Sequence, residues 1–124
     1  MLTFETASRS VPADEVIYEA ILVQVDVATR VAVVTFNRPD KRNAMSPRMT
    51  EEMDDVLARV RYDDRVGAVV LTGAGKAFCA GMDLKEMFLA LNDKPGEMER
   101  IQRISSDWRG RTLRYYPKAT IAMI

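Results

Sequence analysis

Hydrophobic and polar positions divide the chain into segments of different rhythm. Residues 1–20 mix small, charged and apolar types with no sustained period and are interrupted by Pro12, so they read as a loose arm with a short ordered piece near 16–20. Residues 21–27 and 31–37 are rich in β-branched types and flank a short polar turn, which predicts a hairpin. Residues 37–43 then form a polar loop in which Pro39 ends the strand.

Ser46-Pro47 predicts a helix start, with Ser as N-cap and Pro in the first turn. Met49, Met53, Val56, Leu57 and Val60 then recur at helical spacing and make one apolar stripe. Glu51, Glu52, Asp54, Asp55 and Arg59 are expected elsewhere on that helix, which runs to about Tyr62 before Asp63-Asp64 breaks it. Residues 66–71 are apolar almost throughout, as in a strand covered on both faces. A small-residue loop leads to a helix over 83–91, and 92–96 form another loop. A helix follows over 97–113, with Met98, Ile101, Ser105, Trp108 and Thr112 at roughly helical spacing, and 120–124 are strand-like. Hairpin, helix, strand, two helices and strand make an α/β chain with parallel pairing and right-handed crossovers.

Composition narrows the chemistry. Eighteen basic residues balance eighteen acidic ones, so no overall field draws nucleic acid or an anionic membrane. No apolar run approaches the ~20 residues that span a bilayer, and the N-terminus has no secretion-signal core. A single cysteine forms no internal disulfide, which suits the cytoplasm. With no histidine, the chain assembles neither Ser-His-Asp nor Cys-His machinery, and no metal site is expected. Acid–base work would fall to carboxylates, Lys or Tyr.

Several positions admit two readings. Lys41-Arg42 could contact a phosphate or form an ordinary solvated loop. Cys79 could be a thiol activated by a helix end or a small buried apolar residue. Asp83 reads as a helix cap. The Met82 backbone N–H sits where a strand passes through a loop to a helix start. Gly81 beside it permits close approach of a ligand, so the stretch is either a structural loop or an anion-holding one. Arg100, Arg103, Arg109, Arg111 and Arg114 make the late helix basic, which is a solvated face or a set of phosphate or subunit contacts.

Three motifs then fall in order. Asn37-Arg-Pro-Asp-Lys-Arg-Asn-Ala-Met45, Val69-Val-Leu-Thr-Gly-Ala-Gly75 and Ala80-Gly-Met-Asp-Leu-Lys-Glu86 resemble the N-terminal half of the crotonase (enoyl-CoA hydratase/isomerase) superfamily. Arg42-Asn-Ala-Met-Ser-Pro47, Trp108 and Leu113-Arg-Tyr-Tyr-Pro-Lys118 are most similar to its hydroxycinnamoyl-CoA hydratase-lyase group. That group carries a phenol-holding tyrosine where this chain has Met87.

The resemblance implies a crotonase-like ββα-type superhelix, with residues 1–20 as an arm and 21–124 as the N-terminal portion of the domain. It implies an acyl-CoA thioester as ligand, with coenzyme A as part of the substrate and no separate cofactor. Lys41, Ala80, Gly81, Met82, Asp83, Leu84 and Lys85 match CoA-binding positions. The Met82 N–H matches one of two oxyanion donors. In that family the second donor, the catalytic glutamate and the helices packing a trimer or dimer of trimers come from later residues, so this chain alone is expected to be inactive.

Overall fold

A computed structural model describes residues 2–124. The elements in chain order are β1 (Leu2–Thr3), β2 (Val16–Ile17), β3 (Ile21–Asp26), β4 (Val31–Phe36), α1 (Pro47–Arg61), β5 (Ala68–Gly73), α2 (Leu84–Leu91), α3 (Pro95–Asp107) and β6 (Ala119–Ala122). Tight 3₁₀ turns occupy Ala13–Glu15 and Pro39–Lys41, and a π-helical turn, Trp108–Thr112, prolongs α3.

The expected hairpin forms. β3 and β4 are antiparallel with Ile21 opposite Phe36, and Asp26 Oδ1 accepts the Ala28 N–H at 2.9 Å to close the turn. β5 lies parallel to β4, and β6 parallel to β5, giving a four-stranded sheet in the order β3-β4-β5-β6. Side chains of a strand alternate between faces. Ala32, Val34 and Phe36 of β4, with Val69 and Leu71 of β5, are buried in one core with the α1 stripe. Residues 66–71 are therefore not covered equally on both sides, because Ala68 and Val70 on the other face are only half-buried.

Helix α1 begins as its sequence dictates, with Ser46 Oγ accepting the Met49 N–H at 3.1 Å. Met49, Met53, Val56, Leu57 and Val60 are at most 1% exposed. Burying each such side chain is worth ~1.5–3 kcal/mol. The polar flank differs from expectation, since Glu52, Asp55 and Arg59 are also buried.

Residues 2–20 cover that flank, so they are not the loose arm expected. Arg59 donates to Asp55 Oδ2 at 2.8 Å and to the carbonyl oxygens of Phe4, Ala7, Ser8 and Val11 at 3.3, 3.2, 2.6 and 3.0 Å. Tyr18 donates its hydroxyl to Asp55 at 2.7 Å, and burial together with that carboxylate pushes the phenol's pKa up. Glu52 accepts the Glu19 and Ala20 N–H groups, each at 2.7 Å, yet burial still raises its carboxyl above the usual range.

Two boundaries shift. Helix α3 starts at Pro95, with proline in its first turn, so Pro95 and Gly96 are helical where a loop was expected. Its far end is a π turn in which the Leu113 N–H bonds the Trp108 carbonyl at 3.1 Å. Among the described residues no helix is long and apolar enough to cross a membrane.

Candidate functional site

The ends of β4 and β5 release two loops, residues 37–46 and 74–83, that are stapled to each other. Asn43 is the main staple. It is fully buried, its Oδ1 accepts the Arg38 N–H at 2.8 Å, and its Nδ2 donates to the Ala74 and Ala77 carbonyls at 2.9 and 2.7 Å. Arg42 and Asn43 both occupy left-handed backbone, at φ 51° and 56°. Asn tolerates that region and Arg does so only at a cost, so this turn holds strain that its surroundings must enforce. Gly73 allows the loops to meet. A Cβ there would lie 2.8 Å from Asn43 Nδ2 and 2.6 Å from the Phe78 carbonyl, and it would strike the Ala77 carbonyl as well.

Further along, the Ala80 N–H donates to the Arg42 carbonyl at 3.0 Å. Met45 then pairs with Met82 in a parallel bridge. The Met45 N–H takes the Gly81 carbonyl at 2.7 Å, and the Met45 carbonyl takes the Asp83 N–H at 2.9 Å. In extended backbone successive peptide groups point to opposite sides. Since Gly81 C=O and Asp83 N–H face Met45, the Met82 N–H faces away, and it has no hydrogen-bond partner among the described residues. Gly81 makes the bend at φ 108° that sets up this geometry.

Asp83 caps α2, its Oδ1 accepting the Glu86 N–H at 3.0 Å, and its Oδ2 pairs with Arg38 at 3.1 Å. The Glu86 N–H first and the Arg38 guanidinium second hold its carboxyl below the usual range, so it stays a carboxylate and fits the cap role expected of it.

Two hollows meet at Met82. One is an apolar cavity of about 280 Å³. The loop contributes Phe78, Cys79, Gly81 and Met82 to its wall, and the end of α3 with the π turn contributes Ser105, Trp108, Arg109 and Leu113. The other is a cleft of mixed lining bordered by Lys41, Ala44, Met82, Asp83, Leu84, Lys85 and Glu86. Of the seven positions singled out by sequence, Lys41, Met82, Asp83, Leu84 and Lys85 share this cleft, Gly81 with Met82 lines the apolar cavity, and Ala80 sits in the loop between. Lys41 and Lys85 are exposed and form no ion pair among the described residues.

Cys79 is a half-buried, free wall residue rather than a fully buried one. Arg100 bridges Glu97 and Glu51, which ties α3 to α1. The roles of Asn43, Gly73 and Arg38 were not apparent from sequence. The clue was asparagine, a residue tolerant of left-handed backbone, at the end of a proline turn.

The architecture is shared with solved crotonase-fold enzymes. AtuE of Pseudomonas aeruginosa superposes with a TM-score of 0.76 at 35% identity over 86% of this chain and 40% of that one. An enoyl-CoA hydratase/isomerase from Xanthobacter autotrophicus Py2 superposes with a TM-score of 0.75 at 32% identity over 87% of this chain and 39% of that one.

The sequence profile described as Enoyl-CoA hydratase/isomerase matches residues 26–124, and the chain belongs to that family. Hydroxycinnamoyl-CoA hydratase-lyase of Pseudomonas fluorescens is 48% identical over 103 residues, which is 82% of this chain and 37% of that protein. (E)-Benzylidenesuccinyl-CoA hydratase of Thauera aromatica is 45% identical over 65 residues, 52% of this chain and 25% of that protein. The chain thus spans well under half the length of these relatives.

Proposed function

We propose that this chain supplies the thioester-binding part of an enoyl-CoA hydratase-type enzyme. The activity proposed for the whole protein is hydration of a hydroxycinnamoyl-CoA, followed by cleavage to an aromatic aldehyde and acetyl-CoA. The observation that carries the reading is the unengaged Met82 N–H, set where the apolar cavity meets the lysine-bordered cleft. The 48% identity to a hydroxycinnamoyl-CoA hydratase-lyase supports the particular substrate.

In this reading the acyl group enters the apolar cavity and the CoA moiety follows the cleft. Lys41 and Lys85 supply positive charge to phosphate oxygens, while Ala80, Gly81, Asp83 and Leu84 border the thioester and pantetheine. Water adds at the β-carbon, and the electron pair moves through the α-carbon to the thioester oxygen as an enolate. The Met82 N–H donates to that oxygen, and protonation at the α-carbon completes hydration. Cleavage then deprotonates the β-hydroxyl and breaks the α,β carbon–carbon bond, returning charge to the same oxygen. One donor therefore serves both steps, and such a donor is worth about 3–4 kcal/mol in the transition state. No carboxylate lines the apolar cavity among the described residues, so proton transfer falls to groups outside this wall.

A hydratase that does not cleave is the second reading. Met87 favours it, because it stands where the hydratase-lyase group carries a phenol-holding tyrosine and its thioether has no hydroxyl to donate.

The test is a chimaera in which the remaining part of the Pseudomonas fluorescens relative continues this chain. Feruloyl-CoA should yield aromatic aldehyde, and Met82→Pro should lower kcat by roughly 10²–10³ because it deletes the N–H. The isolated chain should bind the thioester without turning it over. Crotonyl-CoA hydration without aldehyde release selects the second reading. A Met82→Pro chimaera within threefold of the parent removes Met82 from the mechanism.

A further inference from the structure

The Met82 N–H is the last link of a hydrogen-bonded series that begins at a charge. One guanidinium nitrogen of Arg38, Nη1, donates to the Ala44 carbonyl. That carbonyl shares its peptide unit with the Met45 N–H, which donates to the Gly81 carbonyl at 2.7 Å. The Gly81 carbonyl in turn shares its peptide unit with the Met82 N–H. A trans peptide is planar and points its C=O and N–H in opposite directions, and among the described residues no peptide is cis. Each bond therefore aims the next donor, and the series ends on an N–H with no acceptor among the described residues.

Arg38 is held at the head of this series. Its own N–H donates to Asn43 Oδ1 at 2.8 Å, and its second guanidinium nitrogen, Nη2, pairs with Asp83 Oδ2 at 3.1 Å. The fork thus spans the bridge, since Ala44 precedes Met45 on one side and Asp83 follows Met82 on the other. The Arg38 and Asp83 side chains are 16% and 12% exposed, so salt and solvent screen them little. Arg38 borders a separate hollow with Ala20, Ser46 and Pro47, and it lines neither of the two that meet at Met82. It can reach a ligand only through the peptides. A cation at the head of such a series polarises its members, each bond strengthening the next by ~10–30%. The Asp83 carboxylate offsets part of the charge, yet it rests on Nη2 while the series starts from Nη1.

We infer that Arg38 is a positioning residue, whose guanidinium aims and polarises the Met82 N–H through two peptide units. The inference rests on the thioester reading above and adds the source of the donor's direction and strength. As negative charge gathers on the thioester oxygen, the Met82 N–H is drawn to it and the Gly81 carbonyl becomes a better acceptor. The demand then passes through Met45 and Ala44 to the guanidinium. The benefit is greatest where the oxygen carries most charge, in the enolate rather than in the bound thioester.

The series can be read directly by nuclear magnetic resonance on the isotopically labelled chain, titrated with feruloyl-CoA. The Met82 amide proton should move downfield. The scalar coupling across the bond from the Met45 N–H to the Gly81 carbonyl, which ring currents do not alter, should grow by ~10–30%. A second signal is the infrared stretch of the thioester carbonyl, isolated by carbon-13 at that position, which should fall on binding. Arg38→Met should return about a fifth of that fall, and Met82→Pro nearly all of it. The coupling is measured on the unsubstituted chain and does not depend on how either variant folds. A coupling unchanged on binding while the Met82 resonance moves, or a stretch unaffected by Arg38→Met, overturns the relay and leaves the thioester reading standing. Feruloyl-CoA that fails to bind, or that binds without moving the Met82 resonance, overturns both.

Discussion

Replacing Asn43 should dismantle the junction between the two loops. Asn43→Ala deletes three hydrogen bonds, of 2.8, 2.9 and 2.7 Å, and strands the Arg38 N–H and the Ala74 and Ala77 carbonyls. At about 1 kcal/mol net for each bond the loss is about 3 kcal/mol. Alanine must also adopt the φ of 56° that asparagine tolerates, which adds ~1 kcal/mol. Against a domain stability of ~5–15 kcal/mol that is a large share. Urea unfolding at constant m-value measures it. Asn43→Asp sharpens the test. One oxygen can still accept the Arg38 N–H, but the other faces two carbonyls, so at neutral pH this variant should be no more stable than Asn43→Ala. Because those carbonyls raise the introduced carboxyl's pKa in the folded state, its stability should be present at acid pH and lost as pH rises through that folded value. Gly73→Ala attacks the junction from its other side, where the added methyl meets Asn43 and the Ala77 and Phe78 carbonyls. A loss below 1 kcal/mol in Asn43→Ala, or an Asn43→Asp variant matching the parent at pH 7, would refute the reasoning.

Arg59→Met should cost ~3–5 kcal/mol, because it leaves the buried Asp55 carboxylate without its guanidinium and frees four carbonyls. Hydrogen exchange should quicken first in residues 2–20, and unchanged protection there would contradict the anchoring role. Asp83→Ala removes a cap worth ~1 kcal/mol at neutral pH. The native carboxyl's pKa is lowered on folding, so its contribution is present above about pH 4 and fades as pH falls through the lower folded value. Chemical denaturation of parent and variant at pH 7 and pH 3 should show the gap closing, and a gap of constant size would exclude the carboxylate as its source.

Local pattern explains what was legible. The hairpin, the Ser46 cap, the α1 stripe and the Asp83 cap each depend on residues within a few positions of one another, and each formed as expected. The three motifs likewise located the loops that meet at Met82. Glu52, Asp55 and Arg59 were misplaced because a helical wheel assigns charge to solvent and cannot register that another segment covers the flank. Asn43 had looked like one polar residue of a polar loop, and its partners lie 31 and 34 residues away.

The grip of Arg59 on residues 4–11 has a consequence for substitution along that segment. A guanidinium that reads carbonyl oxygens is indifferent to the side chains those carbonyls belong to. Thr6, Ser8 and Ser10 are exposed and can drift or be rewritten with little penalty. Proline placed where it would redirect a carbonyl could not be absorbed in the same way. The segment can therefore change its lettering over evolution while keeping its path, and dissimilar sequences at this end of related chains can still conceal the same attachment.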